Sequence, residues 1–439
     1  MRILPTPGCF LPLTISAGQQ PKNRLRNITV GLRSIAVLAL VALGACGKTV
    51  EQTAVIAAAP PSEALSLNDG VERLTMALFK NAEIELAQLS DRTLVIDPLI
   101  DRATGNQAIS TRSMERRITE IVRERFKGIR TQPFTTMTLA NRPLILVGSI
   151  TPVSGPGVIP TTNSPTQTYR IWAAIADLRT NKIISHETAW VRADGVDMTP
   201  TKFFADSPAW LTDRSQTSYV RTCSLNPGDA IDPVYLSGIF TAAIVADGIK
   251  AYEAGRYSEA LSLYTRAQVQ TNGDQPRVYN GIYLANAALG LDAAAEEAFG
   301  NLVNNGLLRG KLAVKFVFRP SSTQFWPDRQ ISGPYPMWLR QIAANATRQS
   351  TCLRLVGHTS PTGAVAINQQ LSLARAAFVK GELVQQAQPL SNTTETEGRG
   401  SLEPLVGSGR DDATDVLDRR VEFETRPCLR AALDAPLRG

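Results

Sequence analysis

Few residues in this 439-residue chain have the types and spacing that catalysis requires. The two histidines, His186 and His358, both fall in strand-like segments, where a structural role is the usual one. No cysteine–histidine cluster has zinc-ligand spacing, and the sequence contains no glycine-rich phosphate loop after a strand and no G-x-S-x-G turn. Asp97 and Asp101 could form a carboxylate pair, but their place between a strand and a turn favours turn and cap roles. We therefore predict that the chain is not an enzyme and that it uses no cofactor and no metal.

Residues 357–376, GHTSPTGAVAINQQLSLARA, have instead the composition of a ligand-binding segment. A strand-like run over 352–359 ends there in a glycine-rich turn, and a long helix is predicted over 365–386. Apolar residues recur along one face of that helix: Ile367, Leu371, Ala374, Phe378 and Leu383. We expect this face to pack against the core.

The elements around this segment, with their motifs, resemble a known family. Three strands and two helices are predicted, in the order 312–318, 334–346, 352–359, 365–386 and 419–425. That order, with GHT followed by N-x-x-L-S-x-x-R-A, closely resembles the OmpA-like peptidoglycan-binding domain. Further matches are Gly398-Arg399-Gly400 with Pro404 and the run DRRVEF at 418–423. The resemblance covers about 312–430 and implies a C-terminal OmpA-like βαβαβ domain with a mixed sheet.

The resemblance also implies a site for diaminopimelate in the peptidoglycan stem peptide, whose side-chain end carries an ammonium and a carboxylate. Arg375 matches the family's arginine, and its planar guanidinium suits two-point contact with the carboxylate. Arg419 matches the arginine beside the same pocket. Gly357 and Thr359 match supporting donors at the turn, and Asn368 matches a brace between loop and helix.

The negative charge that this ligand needs is missing at the expected position. The family's aspartate after GHT is Ser360 here. A charge-assisted hydrogen bond contributes about 1.5–3 kcal/mol, against about 1 kcal/mol for a neutral one. We expect affinity to be lower by about one order of magnitude or somewhat more, unless Asp411 or Asp412 supplies the charge. The alternative is that the fold is kept as a packing module and wall binding is lost.

The N-terminus predicts a targeting segment over residues 1–45. The apolar run IAVLALVALGA (35–45) follows several basic residues and is too short to cross a bilayer of about 30 Å. The run leads into Leu43-Gly44-Ala45-Cys46-Gly47, which resembles the bacterial lipobox, in which the cysteine is lipidated and becomes the new N-terminus. The resemblance implies a lipid anchor at Cys46 and sorting to the outer membrane, facing the periplasm. An ordinary secretory signal is the alternative, and a start at Val30 would give a more compact signal.

The positive charge of the chain is concentrated in this targeting segment. The formal net charge is +7, and residues 1–45 hold five basic residues and no acidic one. The rest holds 41 basic against 39 acidic residues, with no concentrated Lys/Arg tract. A body that is nearly neutral gives no electrostatic footprint for DNA or RNA, so we expect no nucleic-acid partner.

The cysteines fit an oxidising compartment. After the signal and the anchor are set aside, Cys223, Cys352 and Cys428 remain. Cys352 opens one strand-like run and Cys428 closes another, so a disulfide between them is expected if the two runs share a sheet. Two buried thiols are the alternative.

Residues 66–235 predict an α/β sandwich that follows a flexible tether over 46–65. Strand, helix, strand and hairpin signals come in turn: 93–101, 113–126, 143–153, 168–178 and 182–193. The runs VIDPLIDRATG, LVGSITPV and YRIWAAIADLRTNKIIS resemble the periplasmic domain of CsgG-type secretion lipoproteins and LpoB-type activators of penicillin-binding proteins. The resemblance implies a binding or assembly module.

Residues 238–308 predict an all-α linker of paired helices. Gly255 and Gly290 are 35 positions apart, close to the tetratricopeptide period, and small residues around Tyr264 and Phe299 recur with them. We expect these helices to form a structural spacer, and a peptide-binding groove, which the resemblance implies, is the alternative.

Together these features predict a multidomain α+β protein that ends in a tail over 431–439. The expected function is that of a non-catalytic outer-membrane lipoprotein. It would tether the membrane to peptidoglycan and scaffold an envelope protein partner through its N-terminal and helical parts. The alternatives are a regulator of a peptidoglycan synthase and a component of an export or surface-assembly complex.

Overall fold

The computed structural model describes residues 64–89, 92–153, 168–211, 213–319, 321–406 and 417–428. The predicted signal, the anchor Cys46, most of the tether, the tail, and Asp411 and Asp412 lie outside the described residues. The described part is a mixed α/β structure with two mixed sheets.

The first sheet is built by the N-terminal part of the chain, in the order β3-β1-β4-β5-β6 with β2 paired to β4. Its strands are β1 (Thr93–Ile96), β2 (Ile100–Asp101), β3 (Arg130–Gln132), β4 (Leu144–Val153), β5 (Thr168–Asp177) and β6 (Lys182–Arg192). The predicted hairpin is confirmed as β5 and β6, with Asn181 in the left-handed region at its turn (φ 57°). The strand predicted over 93–101 is wrong as one piece, because Pro98 has no N–H to donate and splits it into β1 and β2.

Helices cover both faces of this sheet. They are α1 (Leu67–Asn81), α2 (Glu83–Ala87), α3 (Ile109–Arg125), α4 (Thr136–Ala140), α5 (Lys202–Asp206) and α6 (Arg214–Cys223). Successive β4 residues point to opposite faces, so Leu146 joins the cluster beneath α1 and α3, and Val147 joins the cluster beneath α6. Helix α1, which was not predicted, buries Leu74 and Leu78 on the first of these faces.

Four helices follow, joined by short turns: α7 (Pro233–Glu253), α8 (Tyr257–Gln268), α9 (Pro276–Ala288) and α10 (Asp292–Leu308). Gly255 and Gly290 end α7 and α9 with φ of 75° and 71°, a conformation that glycine adopts without a steric cost. Among the described residues, α7 is long and apolar enough to span a membrane by length and composition, and 56% of its most apolar stretch is buried inside the protein, as core helices also are.

The second sheet has the order β10-β9-β11-β8-β7. Its strands are β7 (Ala209–Trp210), β8 (Lys311–Val314), β9 (Cys352–Gly357), β10 (Thr394–Gly398) and β11 (Val421–Arg426). Its helices are α11 (Arg329–Ser332), α12 (Tyr335–Arg348), α13 (Val365–Gln386) and α14 (Leu390–Thr393). The predicted strand over 312–318 ends early, at Val314, and the helix predicted over 365–386 is confirmed.

The apolar stripe predicted for α13 is wrong in the N-terminal half of the helix, but it is confirmed at Leu383, which is fully buried, and at Phe378, which packs against the same core. Ile367 is 63% exposed and Ala374 is exposed as well. The buried face runs instead through Asn368, Ser372, Arg375, Ala376, Val379 and Leu383. The N-terminal half of α13 therefore turns the polar side chains of Asn368, Ser372 and Arg375 toward the interior of the protein.

The described residues pack as one compact unit. Strand β7 comes from the N-terminal part and pairs with β8, with Ala209 opposite Val314. The ring of Phe299 in α10 stacks on Trp338 in α12, with centroids 5.4 Å apart. The N-terminal part, the helical part and the C-terminal part therefore share a strand pairing and a core. The domain boundaries predicted from the sequence stay predictions.

Candidate functional site

The candidate site lies at one edge of the second sheet. Strands β8, β9 and β10 run in one direction, antiparallel to β11. The loops after these three strands and the segment before β11 therefore leave the sheet at the same edge. Parallel strands commonly place binding loops together in this way.

Two glycines let α13 approach this edge closely. A Cβ atom at Gly357 would overlap the carbonyl oxygen of Ser372, and one at Gly398 would lie 2.5 Å from the backbone nitrogen of Leu373. The hydroxyl of Ser372 accepts a hydrogen bond from Gly400 N (2.9 Å). The N-terminal half of the buried face of α13 is polar, and the ends of β9 and β10 pack against its backbone.

The turn after β9 is held from three directions. Thr359 N donates to Gly400 O (2.9 Å), and His358 N donates to Arg420 O (3.0 Å). The side chain of Asn368 donates to Thr362 O (2.8 Å), which joins the turn to the first turns of α13. Ser360 is buried, and its hydroxyl lies 3.2 Å from that of Thr362. These bonds fix the backbone of the turn.

Arg375 is 5% exposed and lies against the loop that follows β8. Its Nε donates to Ser322 O (3.1 Å), and its Nη2 donates to Arg319 O (3.3 Å). The guanidinium also lies 4.8 Å from the ring centroid of Phe318, a distance suited to a cation–π contact. These contacts fix the plane of the guanidinium, and they place it beneath a loop and not at an open surface.

A buried group of charges lies under the turn. Glu422 accepts a bond from Arg420 Nε (2.7 Å), and its other oxygen lies 2.6 Å from Lys311 Nζ and 3.5 Å from His358 Nε2. Burial by itself raises the pKa of Glu422, but contact with His358 and the charges of Arg420 and Lys311 outweigh it, so the pKa lies well below its usual range. Burial lowers the pKa of His358. This group fixes the segment before β11 relative to the turn.

Asp418 is an acid at this edge that sequence reasoning did not single out, although it opens the DRRVEF run. It is fully buried, and its Oδ1 accepts from Leu405 N (2.6 Å) and Val406 N (3.0 Å). Its neighbour Arg419 is half-buried. Asp418 therefore places a carboxylate near the turn, where it shapes the loop after β10.

Arg399, from the G-x-G motif, takes part in an ion-pair network. Its Nε donates to Glu397 (2.8 Å), and its Nη1 donates to Glu403 (2.9 Å). Arg354 of β9 lies 2.8 Å from Glu397 and pairs with Glu424. The motif's arginine thus ties the loop after β10 to β10 itself.

A disulfide closes the opposite edge of the sheet. Cys352, at the start of β9, is bonded to Cys428, two residues after β11, with Cα atoms 5.2 Å apart. Cys223 is a buried thiol. The bond joins neighbouring strands at the end that is far from the turn.

The six residues predicted for wall binding come from one turn, one helix and the segment before β11, and all of them border the same edge. Gly357, Thr359 and Ser360 form the turn, Asn368 and Arg375 lie on the inward face of α13, and Arg419 precedes β11. The hydroxyl of Thr359 is buried without a hydrogen-bond partner in the described part of the chain. The described residues contain no cluster of His, Cys, Asp and Glu that could hold a metal ion.

The remaining candidate residues lie in the first sheet. Asp101 accepts from Ala103 N and Thr104 N (both 3.2 Å), which is a turn-capping arrangement. Asp97 accepts from Tyr235 Oη (2.6 Å), and burial raises its pKa to about 7. Burial also lowers the pKa of His186.

No protein-family model matches the chain, and no curated protein matches it. About a quarter of the chain is similar to solved structures. The peptidoglycan-associated lipoprotein from Burkholderia pseudomallei is 23% identical over 26% of this chain and 89% of that chain, with a TM-score of 0.21. The periplasmic domain of Helicobacter pylori MotB is 19% identical over 28% and 78%, with a TM-score of 0.22. The OmpA-like domain of FopA1 from Francisella tularensis is 17% identical over 26% and 75%, with a TM-score of 0.21.

Proposed function

We propose that the chain is a non-catalytic outer-membrane lipoprotein whose C-terminal part binds peptidoglycan at the edge of the second sheet. One observation carries the wall-binding part of the proposal. Motif residues that are far apart in the sequence, from Gly357 to Arg419, border one edge around the inward face of α13, with the guanidinium of Arg375 among them.

The ligand chemistry follows from this arrangement. The side-chain end of diaminopimelate in a stem peptide presents a carboxylate and an ammonium. The Nε and Nη2 atoms of Arg375 donate to the carbonyls of Ser322 and Arg319, and they are also a pair of donors that a carboxylate can bind at two points. Because Arg375 is 5% exposed, we expect the carboxylate to replace these two carbonyls as the acceptor.

The ammonium would meet a weaker partner than in a site with an aspartate after GHT. Ser360 contributes a hydroxyl, and Asp418 already accepts two backbone N–H groups. A neutral acceptor contributes about 1 kcal/mol, against about 1.5–3 kcal/mol for a charged one. We therefore propose wall binding of moderate affinity.

Retention of the full chain on purified sacculi tests the proposal. Arg375→Ala should reduce retention at least tenfold, because it removes the charge that meets the carboxylate. Lys380→Ala is the matched control, since Lys380 is a second cation of α13 that donates to a backbone carbonyl, Thr394 O (2.6 Å). Free stem peptide should compete with the sacculi for the original protein.

Loss of folding must be separated from loss of the ligand contact. Circular dichroism and thermal unfolding should show both variants folded at the temperature of the assay. Arg375→Lys keeps the charge but not the planar fork and should retain sacculi at an intermediate level. Equal retention by the original protein and a folded Arg375→Ala variant would remove wall binding from the proposal.

The anchor and the partner are separate parts of the proposal. The lipobox-like run at Cys46 supports a lipid anchor, and mass spectrometry of the mature N-terminus would test cleavage, acylation and the start of translation together. The first sheet and the helices α7 to α10 would hold an envelope partner. A synthase regulator would instead raise synthase turnover in a reconstituted assay, and an export component would co-purify with a secretion complex.

A further inference from the structure

We infer that a groove on the first half of the chain binds an acidic segment of a partner protein through an apolar anchor side chain. This groove, called the basic groove below, lies between the C-terminal half of α1, helix α2 and the turn from α3 to β3. It has a volume of about 830 Å³. It is far in sequence from the wall-binding edge and shares no residue with it.

The rim of the basic groove is strongly positive. Five basic residues line it against one acid, Glu83, and they are Arg73, Lys80, Arg92, Arg125 and Lys127. Among the described residues, none of the five makes an ion pair, and Arg92 donates a hydrogen bond to Ala87 O (3.3 Å). This local excess of positive charge favours an anionic partner.

Helix ends explain part of this charge but not all of it. Lys80 and Arg125 lie in the last turns of α1 and α3, where a cation is favourable to the helix dipole. Arg73 lies in the middle of α1, and Arg92 and Lys127 lie in connecting segments. Arg92 donates to the carbonyl of Ala87 at the C-terminal end of α2, so two of the five cations, Arg73 and Lys127, are left without a structural role among the described residues.

The floor of the basic groove is apolar and recessed. Phe79, Leu86 and Ile129 are 1%, 7% and 8% exposed, and only Met76 among the large aliphatic floor residues reaches 40%. Phe126 packs on Phe79 with ring centroids 4.7 Å apart. A flat bilayer surface touches protruding side chains, whereas a recessed floor accepts a side chain that projects from a peptide.

Charge and shape together select the occupant. The rim requires carboxylates, and the floor requires one large apolar side chain between them, so the partner is an acidic segment with an aliphatic or aromatic anchor. The inference deepens the proposed scaffold role and rests on it only in expecting a protein partner. Wall binding can fail without affecting it, because peptide binding and sacculus retention are measured separately.

Fluorescence anisotropy with the full chain tests the inference. The probes are labelled peptides of about twelve residues that carry glutamates around a central Leu-Phe pair, and matched peptides with glutamine in place of glutamate. The test variants are the double change Arg73→Glu with Lys127→Glu, and Met76→Asp. The control is Arg116→Glu with Arg266→Glu, the same charge change at exposed residues outside the groove.

The acidic peptides should bind at least tenfold more weakly to the double reversal, because each change replaces an attraction with a repulsion. Met76→Asp should weaken binding, the control should not, and salt should weaken binding to the original protein. Equal binding to the double reversal and the control would overturn the inference, as would the absence of saturable binding by every acidic peptide. Binding of phosphatidylglycerol vesicles in place of the peptides would assign the groove to a membrane surface instead.

Discussion

Removal of the Cys352–Cys428 disulfide should lower stability without affecting the candidate site. The two cysteines are separated by 76 positions. Cross-linking a loop of that length lowers the chain entropy of the unfolded state enough to stabilise the fold by about 4.5 kcal/mol. The double change Cys352→Ser with Cys428→Ser should therefore lower the free energy of unfolding by about 2–5 kcal/mol.

The bond lies at the far end of the sheet from the turn. Cys352 opens β9 and Gly357 closes it, so the bond and the turn are about 17 Å apart along the strand. Sacculus retention should therefore be the same for the variant and the original protein wherever both are folded. The double-serine variant should therefore lose stability and keep sacculus binding.

Urea unfolding of three samples measures the effect: the oxidised protein, the reduced protein and the double-serine variant. The reduced protein and the variant should unfold at similar urea concentrations, below that of the oxidised protein, and reductant should not change the variant further. A loss below about 1 kcal/mol would refute the chain-entropy reasoning. A loss of sacculus retention in the folded variant would refute the prediction that the disulfide does not affect the candidate site.

Ser360→Asp should strengthen retention on sacculi up to about tenfold, since it supplies the charge that the ammonium lacks, and no gain in a binding assay would show that the turn is organised differently. Gly357→Ala should lower the free energy of unfolding by about 2 kcal/mol or more, because its Cβ would overlap the carbonyl oxygen of Ser372. A Cβ atom at Gly381 in α13 would have no neighbour within 4 Å, so Gly381→Ala should be neutral or stabilising by up to about 1 kcal/mol. Equal urea midpoints for the two alanine variants would contradict the close approach of α13 to the end of β9. Asp97→Asn should stabilise the protein above about pH 7. Burial raises the pKa of Asp97 from 3.8 to about 7, so the contribution of this carboxyl is fully present below about pH 4 and is lost as the pH rises through about 7. Because the neutral amide of the variant does not titrate, the difference between its urea midpoints at about pH 5 and pH 9 should be smaller than in the original protein. An unchanged difference would show that Asp97 is not the group responsible for the pH dependence of stability.

Local patterns in the sequence determined many of the elements. The helix over 365–386 and the hairpin of β5 and β6 follow from periodicity and turn residues, which depend on near neighbours in the chain. The strand β10 was not predicted, because its residues TETEG carry little apolar alternation. Its pairing with β9 supplies what its own side chains do not.

Only the tertiary structure decided which face of the N-terminal half of α13 is buried. Apolar periodicity favoured Ile367 and Leu371, but the strand ends at Gly357 and Gly398 lie very close to the helix backbone at and beside Ser372. Where two backbones approach this closely, there is room for small side chains but not for large apolar ones. Hydrophobic periodicity cannot register that preference.

The sequence by itself determined that the residues of the candidate site exist, in the right order and with the right chemistry. The tertiary structure decided where their side chains lie, and it placed the guanidinium of Arg375 under the carbonyls of Ser322 and Arg319. Those partners are more than fifty positions away in the chain. A contact of that separation depends on the directions of β8, β9 and β10 in the sheet, and strand direction is set by long-range pairing that no local pattern encodes.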